Sequence, residues 1–267
     1  MKITCLTEDT KCVDSLECEH GLSLYIEALG HTILFDSGQS DMFWRNAEKL
    51  SVDLKKVEYV ILSHGHYDHS GGLKKFLEIN KTAKIFMNIH AFEPHFNGNS
   101  GTQKDIGVDK ELMKSDRIVF VEDYLELFNG AEIFSSKGRE NHYPVSSFGL
   151  NMLENSEYVP DDFRHEQYLL LTENEKKILI SGCSHKGILN ITEWFSPQIL
   201  IGGFHFVKLD PQNEKDSLTL KKSAEILSNH NTIYYTGHCT GVKQYEFLQK
   251  YMKNNLHYLS TGSVIQI

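Results

Sequence analysis

The chain has 267 residues, with 27 Lys and Arg against 36 Asp and Glu, for a formal net charge of −9. This length allows one large domain or two small ones with a sizeable core, while the acidic balance argues against a phosphate-backbone binder, whose affinity comes from Lys and Arg displacing counterions. With 40% hydrophobic and 24% charged residues, disordered, collagen-like and coiled-coil classes are excluded. No apolar run approaches the roughly 20 residues of a membrane helix, and Met1-Lys2-Ile3-Thr4-Cys5-Leu6-Thr7-Glu8 turns polar too early for a signal peptide. The expectation is a cytoplasmic protein without membrane or nucleic-acid partners. Cys5, Cys12, Cys18, Cys183 and Cys239 form no CxxC pair, which suits reduced thiols and neither a disulfide framework nor a four-cysteine zinc module.

In chain order, short apolar or alternating segments predict strands at 3–6, 22–28, 32–35, 57–62, 84–87, 117–121, 131–134, 167–171, 177–180, 198–201, 232–235 and 257–259. Helical spacing predicts helices at 41–50, 72–79, 186–194, 217–229 and 241–253. Hairpins are expected at Leu29-Gly30 and at Glu173-Asn174-Glu175-Lys176. Antiparallel runs followed by single helices predict two sheets packed face to face with helices outside, an α+β arrangement rather than a doubly wound parallel sheet. No linker or internal repeat is visible, so residues 1–267 read as a single domain. The stretches 88–107, with Pro94, Gly98, Gly101 and Gly107, and 135–164 read as irregular, substrate-facing loops.

The chemistry concentrates in one place. Fourteen histidines are present, and His64, His66, Asp68 and His69 form HxHxDH immediately after the strand predicted at 57–62. An extended i, i+2 pair faces one point from a strand end, and Asp68-His69 follows on the next turn before Gly71-Gly72 lets the backbone bend into a helix. Two His on one side and an Asp–His pair on the other can serve two cations, with donors suited to Zn, Mn or Fe. Later strand ends repeat the theme: 177–180 leads to Gly182-Cys183-Ser184-His185, and 232–235 leads to Gly237-His238-Cys239.

The HxHxDH segment, together with Glu19-His20-Gly21-Leu22-Ser23, Leu34-Phe35-Asp36-Ser37-Gly38-Gln39, Ser181-Gly182-Cys183-Ser184-His185-Lys186-Gly187-Ile188, Ile201-Gly202-Gly203-Phe204-His205 and Gly237-His238-Cys239-Thr240-Gly241, resembles the metallo-β-lactamase fold superfamily. Within it, these motifs are similar to the branch that includes the dihydropterin ribofuranosylaminobenzene-phosphate synthase. The resemblance covers essentially the whole chain. It implies a four-layer αββα sandwich with a dinuclear site at one edge, His185 completing a centre with His64 and His66, and His238 completing one with Asp68 and His69. One departure stands out. The superfamily's bridging Asp is replaced here by Cys183, which either bridges as a thiolate or is a small buried residue. Asp36 matches a position that orients ligands, with a turn-capping role as the alternative.

His205, after Gly202-Gly203, is a candidate catalytic residue beside Asp68, as a general acid or phosphate donor. His90, His95, Lys137, His142 and Arg164 are surface residues of which one or two contact an anionic substrate, and His20 has no assigned role. His31, His165, His230 and His257 read as ordinary surface or core residues. A pair of divalent ions would activate water without a protein nucleophile, and no GxSxG elbow, P-loop or GxGxxG offers another chemistry. The expected activity is hydrolysis of a small phosphate-bearing substrate, a phosphodiester in particular. A pterin-synthase-type transferase and a non-catalytic metal-binding sensor are the alternatives.

Overall fold

The computed structural model describes residues 1–98 and 101–267; positions 99 and 100 of the stretch expected to be irregular lie outside the described residues. Two seven-stranded sheets form the frame. The first is ordered Val264–Gln266, Lys2–Thr7, Ser23–Ala28, His31–Phe35, Tyr59–Ile61, Lys84–Asn88, Ile118–Val121. The second is ordered Leu256–Tyr258, Ile233–Thr236, Ile199–Ile201, Lys176–Ser181, Gln167–Glu173, Ala131–Ser135, Tyr124–Phe128.

Each sheet is antiparallel at one end and parallel at the other. Parallel pairing begins at His31–Phe35 in the first sheet and runs from Lys176–Ser181 to Leu256–Tyr258 in the second. Parallel neighbours need long crossovers. Helices Met42–Lys49 and Leu73–Ile79 lie in those of the first sheet, and Ile188–Phe195, Glu214–Ser228 and Val242–Met252 in those of the second.

Strand periodicity explains the layering. Along His31–Phe35, Ile33 and Phe35 enter the core between the sheets while Leu34 faces Phe43 and Phe76 of the helical layer. Along Lys176–Ser181, Ile178 and Ile180 face the same central core, and Leu179 turns to Ile191, Leu220 and Leu248. These strands are buried on both faces, so they read as continuous apolar runs. The result is the expected sandwich of two sheets between helices. Glu214–Ser228 starts three residues before its apolar periodicity does, because the Asn213 side chain accepts the Lys215 and Asp216 N–H groups and acidic residues fill the first turn.

Both expected hairpins form. Leu29-Gly30 and Asn174-Glu175 all adopt positive φ, 55°, 84°, 51° and 64°, as a two-residue loop matched to strand twist requires. The expectation of irregular loops is corrected: parts of 88–107 and 135–164 pair into a third sheet ordered Glu157–Pro160, Leu150–Glu154, His95–Asn97, Lys104–Asp105. This small sheet is tied to the HxHxDH loop, since Ile106 accepts the Tyr67 N–H at 2.8 Å and donates its own to the His95 carbonyl at 2.9 Å. Among the described residues no helix is long and apolar enough to cross a membrane.

Candidate metal centre

The histidines gather where parallel strands end, the end of such sheets at which ligands bind. His64 and His66 follow Tyr59–Ile61, Cys183 and His185 follow Lys176–Ser181, His205 follows Ile199–Ile201, and His238 follows Ile233–Thr236. The chain takes unusual backbone conformations to deliver them: Asp36, Ser184, His205 and His238 have φ of 58°, 58°, 57° and 49°. Positive φ costs of order 1–3 kcal/mol at a non-Gly residue and clusters at functional sites. Tight approach explains the glycines. A Cβ on Gly71 would lie 2.2 Å from the Gln39 carbonyl oxygen and one on Gly72 2.3 Å from that of Ser37. At both positions φ is ordinary, −63° and −78°, so closeness, and not the expected freedom to bend, is what demands glycine there.

Hydrogen-bond partners set the tautomers. Asp36 accepts the Ser63 backbone N–H and hydroxyl and His69 Nδ1, each at 2.7 Å. The Ser63 hydroxyl, having given its proton to Asp36, accepts from His64 Nδ1 at 2.7 Å. Asp9 Oδ1 accepts from His238 Nδ1 at 2.6 Å. His64, His69 and His238 therefore carry their protons on Nδ1, and each presents an Nε2 lone pair to the site. These lone pairs converge: His69 Nε2 lies 3.2 Å from His238 Nε2 and 3.2 Å from Cys183 Sγ, and His238 Nε2 lies 3.3 Å from Asp68 Oδ2. Such spacings match ligand-to-ligand distances of about 3.3 Å around a tetrahedral ion with bonds of about 2.0–2.1 Å.

The other side of the cluster points the same way. His64 Nε2 and both ring nitrogens of His185 are buried with no hydrogen-bond partner, an arrangement that costs stability unless something occupies it, and the His66 ring stands with them. Their rings stand 4.5–5.0 Å apart. Cys183 Sγ belongs to both groupings, one with His64 and His185 and one with His69 and His238, each with ligand atoms within 4.8 Å. The donor set thus fits divalent cations, and the thiol stands between the two groups. Burial, Cys239 and Asp68 push that thiol upward, so it ionises only with a cation beside it.

Electrostatics favours ligation further. Burial, reinforced by neighbouring histidines, holds His64 and His185 well below the ordinary histidine range, and burial does the same to His66. Asp68 is pushed up by burial, but His69, His238 and His66 outweigh this and keep it ionised. His238 is the exception, raised by Asp68 and Asp9 against its burial. His205, pushed down to about 4 by burial, Lys208 and His238, is a neutral imidazole 4.3 Å from the His185 ring, placed to offer a hydrogen bond.

Asp9 and Glu166 escaped the sequence reading. Asp9 orients both His238 and His20, whose Nδ1 is 2.9 Å away, and His20 Nε2 is 3.4 Å from Asp68 Oδ2 at the half-exposed rim. Asp9 lies two residues beyond the strand Lys2–Thr7, whereas Asp36 directly follows His31–Phe35. Glu166, fully buried, accepts the His185 and Lys186 N–H groups at 2.6 and 3.0 Å and the Tyr168 hydroxyl at 2.7 Å. His95 and His165, expected at the surface or as ordinary residues, are corrected: both are buried beside His66, with Asp161. His90, Lys137, His142 and Arg164 sit in ion pairs with Glu93, Glu122 and Asp123, Glu193, and Glu93 respectively.

The sequence profile of the metallo-beta-lactamase superfamily matches residues 16–147. Over 100% of its length the chain is 30% identical to the 7,8-dihydropterin-6-methyl-4-(beta-D-ribofuranosyl)-aminobenzene-5'-phosphate synthase of Methanocaldococcus jannaschii, covering 96% of that protein. Over 93% of its length it is 29% identical to an uncharacterised protein of the same organism, covering 94% of it. A crystal structure described as a metal-dependent hydrolase of the beta-lactamase superfamily superposes with a TM-score of 0.83 at 26% identity, covering 100% of this chain and 99% of that one.

Proposed function

Starting from a chain that belongs to the metallo-β-lactamase superfamily, we propose that it is a metal-dependent hydrolase of a small phosphoester, a phosphodiester in particular. The observation that carries this reading is the convergence of ring nitrogens from His64, His69, His185 and His238 on Cys183. His64, His66 and His185 would hold one cation, Asp68, His69 and His238 the other, and Cys183 would bridge; zinc suits these donors, with manganese or iron as alternatives. Bound there, two divalent ions supply the Lewis acidity that lowers the pKa of water and offsets charge on phosphoryl oxygens.

The chain's own residues do the rest. Asp36 and Asp9 fix the tautomers of His69 and His238. His20 Nε2, 3.4 Å from Asp68 Oδ2 on the solvent side, steadies that carboxylate. His205 offers an N–H to a phosphoryl oxygen from beside His185.

A pterin-synthase-type transferase is the second reading, favoured by the full-length relative of that name. The test pairs metal analysis with assays on a bis-aryl phosphodiester, a monoester and a thioester, using Asp68→Ala as control. Two metals per chain with phosphodiester cleavage dependent on Asp68 supports the hydrolase. Two metals without hydrolysis points to the transferase or to a metal sensor, and a protein that takes up no metal rejects both catalytic readings.

A further inference from the structure

His66 belongs to a second buried group, with His95, Asp161 and His165, whose donor atoms lie within 4.8 Å of one another. Proton bookkeeping decides what this group does. His165 Nδ1 accepts the Gly65 backbone N–H at 2.8 Å, so the single proton of the neutral ring sits on Nε2, 3.4 Å from Asp161 Oδ2. A ring in that state has no lone pair at Nε2 to give a cation. His95 Nδ1 stands 2.9 Å from the same carboxylate oxygen and donates to it, which leaves His95 Nε2 as a buried lone pair without a partner. Asp161 Oδ1 accepts the Phe163 N–H at 2.7 Å, completing the carboxylate.

The group is therefore not a third cation site. It is a carboxylate that holds His95 by a hydrogen bond and stands 3.4 Å from His165 Nε2, with His165 braced on the backbone between His64 and His66 and His95 5.6 Å from the His66 ring, edge to face. The small third sheet carries it, since His95 opens the strand His95–Asn97 and the Asp161 N–H donates to the Leu150 carbonyl at 3.0 Å.

Resting on the metal-binding reading above, we propose that Asp161 is a positioning residue for His66. Through its 3.4 Å approach to His165 it braces the Gly65 backbone, and through its hydrogen bond to His95 it keeps the buried His95 Nε2 lone pair beside His66, favouring a proton on His66 Nε2 and reserving the other nitrogen for a cation. Outer partners of this kind typically change metal affinity 10–100-fold, on the order reported for carboxylate–histidine pairs.

Nitrogen-15 spectra of the imidazoles in metal-free protein test the network, and zinc affinity by chelator competition tests its consequence. His95 is expected as the Nδ1–H tautomer and His165 as the Nε2–H tautomer. Asp161→Asn should weaken one of the two zinc sites about 10–100-fold and leave the other unchanged. His95→Asn keeps a donor toward Asp161 but deletes the buried ring nitrogen beside His66, so it should lose more affinity than its change in metal-free thermal midpoint accounts for. Four results would overturn the proposal: His95 protonated on Nε2; both variants binding zinc like the unaltered protein; affinity falling only in step with thermal stability; or a third zinc lost on Asp161→Asn. An unaltered protein that takes up no zinc rejects this inference and the proposed function together, whereas two zinc ions without hydrolysis reject the hydrolase alone.

Discussion

The two sheets arm the candidate centre by different means. The first delivers His64, His66, Asp68 and His69 from one six-residue segment and wires the His64 and His69 rings to Ser63 and Asp36. The second delivers Cys183 with His185, then His205, then His238, from three successive strand ends. His185 has no hydrogen bond on either ring nitrogen; its backbone is held by Glu166, and its ring stacks on Phe163 at 4.5 Å with 10° between planes. His238 is oriented from the opposite sheet, by Asp9 on its ring and Glu8 on its backbone. Hydrogen bonds thus preset the first sheet's ligands, while the second sheet's are set by packing and by contacts that reach across the sandwich.

Ligand loss breaks this comparison most severely. Asp68→Ala and His64→Ala should each reduce phosphodiester cleavage by more than the roughly 100-fold typical of outer partners, with metal content falling below two per chain in mass-spectrometric analysis. Next come the carboxylates that serve each side. Asp36→Asn turns one of the two oxygens that accept from Ser63 and His69 into an NH2 donor and should weaken metal affinity about 10–100-fold. Glu166→Gln holds only the backbone at His185 and should cost less; equal losses in chelator titrations would erase the distinction drawn here.

Smaller effects sharpen the same contrast. Gly71→Ala forces a methyl against the Gln39 carbonyl, so urea unfolding should show a loss of about 1–3 kcal/mol. The pH dependence of the metal-free protein divides at 6.5, because the opposed contributions act on either side of it. Burial lowers His64, His66 and His185 from 6.5 and takes His165 and His205 down to about 4, so the stability they contribute is present above 6.5 and is lost as pH falls toward the folded values. His238, raised by Asp68 and Asp9 over its burial, contributes fully below 6.5 and loses that as pH rises through its folded value. The urea midpoint should be lower at pH 5 than at pH 7, and an unchanged midpoint would mean the rings are hydrated.

The same difference decides what was legible in the sequence. HxHxDH could be read because its four ligands are contiguous and follow a strand whose apolar run is unmistakable. The strand-end rule extended that reading to His185, His205 and His238, and the two sheets followed from strands buried on both faces. Asp161, His95 and His165 were missed because their meeting depends on the third sheet, whose strands are as short as two residues and largely polar. The edge strand Tyr124–Phe128 was also missed, although Asn129-Gly130 beside it is a strong hairpin signal. Asp9 and Glu166 act through pairings between distant segments, which no local period records.

The central claim is that both sheets close on a pair of cations about Cys183. Anomalous diffraction from zinc-loaded crystals, collected on both sides of the zinc edge, tests it most directly. The account predicts two peaks, one bonded to His64 and His185 and one to His69 and His238, with Cys183 Sγ between them. A single peak, or a peak among His95, Asp161 and His165, would contradict it.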